Sequence, residues 1–339
     1  MPQYALIADD LTGALDAGAG FAAAGLRAVV PLSGLASDAA GADVVLINTD
    51  SREGSASNAA SAARGAAEQL RNAGIERIYK KIDSVLRGHP GPELAAVLDV
   101  YRGRALVAPA FPAQGRVTRQ GIQYVNGERA SPFGGFLRDA LQIAASRCDL
   151  RDAETDYDLE RIAHEAAGNA AYRVWCGTAG LARHIPAALG LTSSSRDALP
   201  QVPVAKRVLV LAGTGHSATN AQLDALAAER IDGVEILVEG RRESSEEHVY
   251  SALKQAAANA HIDAQTALIL TGGESALIVC RELRATAIEV AGEALPGIPI
   301  GLLMLPSLTV TVATKSGGFG TPDVLVVTVK RLLGDQTPV

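Results

Sequence analysis

The sequence predicts two α/β domains, each a mostly parallel sheet flanked by helices, with a ligand cleft between them. Two observations carry this prediction. Continuous apolar runs alternate with helical segments almost throughout, as buried parallel strands joined by crossover helices do. One Ser- and Pro-rich, aperiodic stretch, "LTSSSRDALPQVP" from Leu191 to Pro203, interrupts the alternation, which then restarts. A chain of 339 residues has the length for two domains. The expected division is a domain over 1–190, a linker over 191–205 and a domain over 206–339.

The elements follow in order. "YALIAD" reads as a strand before a small-residue helix from Gly13 to Ala24, and "DVVLIN" as a strand before an Ala-rich helix from Ser55 to Asn72. "RIYKKID" leads through a turn to the helix "PELAAVLDVY", and "ALVAPAF" is the next strand. "QGRVTRQGIQYVNGER" has period-two patterning with an Asn-Gly step, so a hairpin-like excursion is expected at the sheet's ligand edge. A helix-rich segment then runs to Ala188, broken by the strand "YRVWCG". Beyond the linker come "RVLVLAG", a helix to Glu229, "VEILVE", a helix over 245–260, "TALILTG", a helix to Ala291, "GLLML", "TVTVAT" and a helix to Leu333.

Composition narrows the function classes. Hydrophobic residues make up 48% and charged residues 20%, which suits a globular protein with real cores. Aromatics are 4%, too few for the stacking platforms of single-strand nucleic-acid binders, and a net charge of −6 gives no global pull toward DNA or anionic membrane. An anionic substrate therefore needs a local cationic pocket. Cys148, Cys176 and Cys280 are odd in number and far apart, which fits reduced, buried thiols better than disulfides or zinc. "MPQYALIADD" lacks the basic and apolar regions of a signal peptide, so a cytoplasmic protein without membrane or nucleic-acid partners is expected.

Three strand ends in the C-terminal half run into polar, glycine-bearing turns: Gly213 to Ser217, Thr271 to Ser275, and Thr314 to Gly320. Parallel strands put such turns on one edge, where glycines admit close backbone approach and helix N-termini offer unpaired amides to phosphate. No P-loop motif occurs, but "GTGHSA" fits a dinucleotide loop, with Glu235 and Glu239 downstream. An NAD(P)-dependent oxidoreductase is thus one reading.

The N-terminal half has a different constellation. Asp9 and Asp10 end the first strand ahead of Thr12, Gly13 and Asp16; paired carboxylates there could hold hydroxyls, bind magnesium or accept a proton. Lys81, Asp83, Ser84 and Arg87 crowd one turn, and Gln114, Arg116 and Thr118 follow another strand. Guanidinium grips carboxylate bidentately, so this set suits a small carboxylated, hydroxylated ligand. A sugar-acid sensor without catalysis would also use it.

Together "IADDLTGALDAGAGFAAAG", "KKIDSVLRGHPGPE", "APAFPAQGRVTRQGIQYVNG", "TGGESA" and "TKSGGFGTPD" resemble the four-carbon acid sugar kinase family, some of whose members are known as Hrp-dependent type III effectors. The resemblance runs in order over nearly the whole chain. It implies a two-domain kinase that binds threonate, erythronate or a 3-oxo-tetronate in its N-terminal domain and ATP with Mg2+ in its C-terminal domain. Phosphate would go to the terminal hydroxyl. Asp10, or else Asp83, is expected as the base, with Asp9 capping the following helix or bonding its turn, or with the roles of Asp9 and Asp10 reversed. Asp9, Thr12, Lys81, Ser84, Arg87, Gln114 and Arg116 are expected on the substrate, and no metal ligand is assigned. Thr214, His216, Gly272, Gly273, Glu274, Ser275, Lys315, Ser316, Gly317 and Gly318 are expected on the nucleotide, and the reading leaves room for a homodimer. Three departures stand out. Gly213-Thr214-Gly215-His216 replaces the family's Gly-Ser-x-Ser, Val85 replaces a usual threonine, and the segment after Asn126 is compressed.

Overall fold

The computed structural model describes residues 2–33, 39–193, 201–240 and 245–335. The chain divides into two compact units, Met1–Val30 with Ala39–Ala198, and Pro31–Asp38 with Leu199–Val339. Residues 194–200 of the expected linker lie outside the described residues.

The first unit begins with β1 (Tyr4–Ala8), α1 (Leu11–Ala23), β2 (Ala28–Pro31), β3 (Val44–Asn48), α2 (Ala56–Asn72), β4 (Ile78–Lys81), α3 (Pro90–Tyr101) and β5 (Arg104–Ala108). A three-stranded meander follows, of β6 (Arg116–Arg119), β7 (Ile122–Val125) and β8 (Glu128–Arg129). The unit closes with α4 (Leu137–Leu141), β9 (Cys148–Leu150), α5 (Asp156–Ala167), β10 (Tyr172–Gly177), α6 (Ala179–Ala182) and α7 (Ile185–Leu189). Its large sheet has the order β2-β3-β1-β4-β10-β5-β9 and is parallel throughout. The chain leaves β1 for one side of the sheet and returns to β4 on the other, so the strand order reverses between β1 and β4. Open parallel sheets bind ligands at such a point, outside the strands' carboxyl ends.

Burial explains the sequence pattern. The apolar stripe of α2 (Ala63, Ala67, Leu70) and that of α3 (Leu94, Val97, Leu98) cover Ile7, Ile78, Val107 and Val174 on one sheet face. On α1, an alanine-rich surface allows close packing: a Cβ on Gly20 would lie 2.5 Å from the Cα of Arg183. In the meander, Gln120-Gly121 and Asn126-Gly127 all take positive φ (52°, 72°, 50° and 88°). Those are the two-residue turns that match strand twist, and they make the expected hairpin a pair of hairpins sharing β7.

The second unit contains β11 (Arg207–Ala212), α8 (Ser217–Glu229), β12 (Val234–Glu239), α9 (Glu246–Asn259), β13 (Thr266–Thr271), α10 (Gly273–Glu282), β14 (Ala287–Leu295), β15 (Ile298–Met304), β16 (Thr309–Lys315) and α11 (Val324–Leu332). β12, β11, β13 and β16 lie side by side in parallel, and β15 and β14 continue the sheet antiparallel. The helix expected to reach Ala291 stops at Glu282, and residues 287–295 are a strand. Ala and Glu in "AIEVAGEAL" favour a helix locally. Pairing with β15, which buries Ile288 and Val290, overrides that preference. Gly292 absorbs a register shift at φ 145°. All three cysteines are free and buried. Among the described residues no helix is long and apolar enough to cross a membrane.

Candidate functional site

At the switch point of the first unit, the turns after β1, β3 and β4 bring three carboxylates onto one guanidinium. Arg52 reaches Asp9 through Nε (2.7 Å to Oδ2) and Nη2 (2.8 Å to Oδ1), and Asp10 through Nη1 (2.7 Å to Oδ2) and Nη2 (2.8 Å to Oδ1). Its Nη1 also lies 3.6 Å from Asp83 Oδ2. All four side chains are buried or nearly so. Burial alone would push the Asp9 and Asp83 carboxyls up; Arg52, joined by Lys80 and Lys81 at Asp9 and by Arg87 at Asp83, holds Asp9 below and Asp83 well below the usual carboxylate range. Sequence reading did not single out Arg52. Its one signal is position, just past a parallel strand that flanks β1.

Asp10 is the N-cap of α1. Its Oδ1 accepts from the Gly13 amide (2.9 Å) and its Oδ2 from the Thr12 hydroxyl (2.8 Å). Of the two orders the sequence leaves open, the structure has Asp10 on the helix cap. Gly13 is needed for the arrangement, since a Cβ there would sit 2.4 Å from Asp10 Oδ1 and 3.1 Å from Lys81 Nζ. Lys81 itself donates to the Ile82 carbonyl at 3.0 Å. Lys80, on the opposite face of β4, pairs with Glu93 at 2.7 Å, both fully buried. Ser51 donates to Glu93 (3.0 Å) and also bonds Thr49 (2.8 Å), which donates to the Ala8 carbonyl (2.9 Å). This buried chain ties the ends of β1, β3 and β4 to α3, beneath the carboxylates.

The turn after β4 is organised by Asp83. Its Oδ1 accepts from the amides of Val85 (3.0 Å) and Arg87 (3.2 Å) and from Arg87 Nε (3.1 Å), and its Oδ2 accepts from Arg87 Nη2 (2.7 Å). Arg87 is thereby fixed while its side chain stays 53% exposed. Leu86 takes φ +67° inside this turn, a strained conformation for a branched residue. The Ser84 carbonyl accepts from Gln123 of β7 at 2.9 Å, fastening the meander to the turn. Arg116 is buried and donates to the Gln114 carbonyl. Burial pushes it down even with Asp83 nearby. Thr118 bonds the Ala153 backbone and lies away from the cluster's hydrogen bonds. The structure thus gathers Asp9, Asp10, Thr12, Lys81, Asp83 and Arg87, with Ser84, Gln114 and Arg116 beside them in the supporting turns. Among the described residues no group of His, Cys, Asp or Glu is arranged to hold a metal ion.

In the second unit, the three glycine-bearing turns do lie on one edge, at the carboxyl ends of the adjacent parallel strands β11, β13 and β16. The Gly213 amide bonds the Thr271 carbonyl and the Gly272 amide bonds the Lys315 carbonyl, so neighbouring turns are stitched together. Gly272 sits at φ 91° ahead of α10, with no side chain capping that helix. The Ser275 side chain lies against Gly213, where an added Cβ would meet its hydroxyl at 2.0 Å. Gly317 and Gly318 press on Thr214 and His216: a Cβ on Gly317 would be 2.7 Å from Thr214 Oγ1, and one on Gly318 would be 3.1 Å from His216 Nε2.

The 316–321 loop has its carbonyls tied down. Lys315 Nζ donates to the Ser316 (2.8 Å), Gly317 (3.1 Å) and Phe319 (3.4 Å) carbonyls and to the Thr219 hydroxyl (3.0 Å). Thr219 donates to Gly317 O (2.8 Å), and Gln222 Nε2 to the carbonyls of Phe319 (3.0 Å), Gly320 (3.2 Å) and Thr321 (3.0 Å). The amides of Gly317 and Gly318 have no acceptor among the described residues. Lys315 was expected to face a polyanion; it is 1% exposed and its ammonium is engaged by the loop. Burial pushes its pKa down to about 7. His216 caps α8, its Nδ1 accepting from the Ala218 amide at 3.2 Å. It therefore does the capping work that a serine would do, and it occupies the helix N-terminus that a dinucleotide pyrophosphate would need. Glu235, the acid of that reading, is bonded to Arg207. Glu274 accepts from the Tyr250 hydroxyl.

The comparisons with known proteins agree with this division. Residues 4–133 match the model of a sugar-binding N-terminal domain, and residues 237–325 match that of a nucleotide-binding C-terminal domain. The chain is 30% identical to the D-threonate kinase of Bordetella bronchiseptica, with 96% of each chain covered. It is 27% identical to the 3-oxo-tetronate kinase of Pseudomonas fluorescens, over 99% of this chain and 98% of the relative. A solved structure from Salmonella typhimurium shares the fold at a TM-score of 0.73 and 19% identity, covering 97% of this chain and 99% of its own.

Proposed function

The chain belongs to the four-carbon acid sugar kinase family, and from that premise we propose that it transfers the γ-phosphoryl group of ATP to the terminal hydroxyl of a four-carbon acid sugar such as threonate. The observation that carries the proposal is the edge formed by the ends of β11, β13 and β16. There the uncapped start of α10 and the free amides of Gly317 and Gly318 suit the oxygens of a polyphosphate. Thr214, Gly272, Gly273, Glu274, Ser275 and Ser316 complete this nucleotide site. Lys315 and His216 support it by holding the loop and capping α8.

The acid sugar lies over the carboxylate cluster of the first unit, its carboxylate on Arg87 and its hydroxyls on the aspartates. Phosphoryl transfer has a loose transition state, so positioning and charge neutralisation supply most of the rate. Asp10 spends its oxygens on the helix cap and Arg52, and Asp83 spends its own on the turn and Arg87. The Asp9 carboxylate bonds Arg52 alone among the described residues, which leaves it the one best able to orient the attacking hydroxyl and accept its proton. Because Arg52 and Arg87 already compensate the aspartates, they fit Mg2+ poorly. Mg2+ carried in on ATP would supply neutralisation of charge on the phosphates, with no ligand assigned to it from this chain.

The test is a phosphorylation screen of purified protein with MgATP over the stereoisomers of threonate, erythronate and 3-oxo-tetronate, paired with thermal unfolding. A ligand at 100 times its dissociation constant adds about 2.7 kcal/mol. MgATP is expected to raise the melting temperature and NAD(P) to leave it unchanged. Stabilisation by NAD(P) alone, or no turnover of any four-carbon acid, would overturn the proposal.

A further inference from the structure

A cavity of about 710 Å³ opens beside the turn after β4, within the range of small-molecule sites. Val85 and Arg87 line it from the turn, and Asn126, Glu128, Arg129 and Ser131 line it from the far end of the meander. Its two guanidiniums differ in how they are held. Arg87 gives Nε and Nη2 to Asp83, which leaves its Nη1 edge without a partner among the described residues. Arg129 lies over the Phe136 ring, 5.3 Å from its centroid, and forms no ion pair among the described residues. A ring beneath a guanidinium fixes its plane and leaves the N–H edges for a ligand. Lys81 and Arg116, the other cations considered for a carboxylate, have donors committed to backbone carbonyls.

We propose that Arg129 is the second arm of the substrate clamp, closing with Arg87 on the carboxylate of the acid sugar while Val85 packs on its carbon chain. This rests on the acid sugar kinase reading and adds a residue from the compressed segment after Asn126. Arg87 is already paired with Asp83, so Arg129 supplies the added positive charge, and the bidentate edges of two guanidiniums favour a carboxylate over a neutral polyol.

The experiment compares wild type with Arg129→Gln and Arg129→Lys. Calorimetry measures binding of threonate and erythronate without nucleotide, and kinetics measure KM for acid and ATP separately. Arg129→Gln is expected to raise the acid's Kd and KM by about 10- to 100-fold, as losing a charged hydrogen bond does, with the KM for ATP and the melting temperature unchanged. Its preference for threonate over threitol should fall by the same factor, and Arg129→Lys should recover part of the loss. If wild type binds the acids and Arg129→Gln binds them equally well, the clamp is wrong and the kinase reading stands. If wild type binds none of them, both fall. Binding that depends on Arg129 without turnover would keep the clamp and overturn the kinase assignment.

Discussion

The two proposed ligand edges would grip an anion with opposite materials. In the first unit side chains do it: Arg52 and Arg87 neutralise Asp9, Asp10 and Asp83, and the Lys80–Glu93 pair locks the strands beneath. In the second unit the backbone does it, and the one lysine of the turn faces inward onto carbonyl oxygens. Gly13 apart, the first edge should therefore be sensitive to deleted charge and tolerant of small changes in volume. The second should show the reverse.

The variant expected to separate them most is Arg52→Met, which leaves three buried carboxylates facing one another. Stripping one partner from a buried pair costs about 3–5 kcal/mol. Denaturant melts should show that loss, and acid-sugar binding should disappear while stabilisation by MgATP persists. Next comes Asp9→Asn, which keeps shape but removes the basic oxygen. Its kcat is expected to fall by about 10²–10⁴-fold with both ligands still bound. Asp10→Asn, by contrast, keeps an amide oxygen for the Gly13 cap but weakens the bonds to Thr12 and Arg52, so it should show up mainly in thermal stability. Equal kcat losses in the two variants would return Asp10 to contention.

On the backbone side, Gly317→Val pushes a side chain into Thr214 Oγ1. Overpacking of this kind costs about 1–3 kcal/mol, so titration should find ATP affinity lower by roughly 5- to 150-fold and acid-sugar affinity unchanged. The smallest effect is expected at His216. Replacement by Ala should cost about 0.5–2 kcal/mol through the lost cap, and replacement by Ser almost nothing, as urea melts would show. A His216→Ser variant as weakened as His216→Ala would mean the imidazole does more than cap.

Much of this was legible in sequence because parallel strands turn chain order into spatial order. Asp9, Asp83 and the three glycine turns each follow an apolar run, so their shared edges could be read directly. Arg52 could not be found that way, since an arginine among "NTDSREGS" looks like any polar loop until β3 is known to flank β1. The roles of Asp9 and Asp10 depend on which carboxylate meets the Gly13 amide, a matter of backbone torsion that adjacent identical residues do not reveal. The direction of the Lys315 side chain was hidden for a related reason. A lysine in a glycine-rich turn suggests a bound phosphate, but strand alternation points its side chain toward α8. The strand over 287–295 was hidden by helix-favouring residues until its partner β15 could be seen.

The inward-facing Lys315 makes the glycine loop a structure that carries its own counter-ion. Nζ sits among four oxygens much as a monovalent metal ion would, but it is tethered, so no salt in the buffer supplies or displaces it. Only the loss of its own proton can discharge the position. With burial pushing that ammonium down to about 7, the charge drains away as pH rises above neutrality. Hydrogen exchange at the Phe319 amide, which bonds the Ser316 carbonyl across the loop, should then, corrected for intrinsic rates, quicken between neutral and alkaline pH and stay level from low to high potassium chloride. The loop would answer to acidity and be deaf to ionic strength.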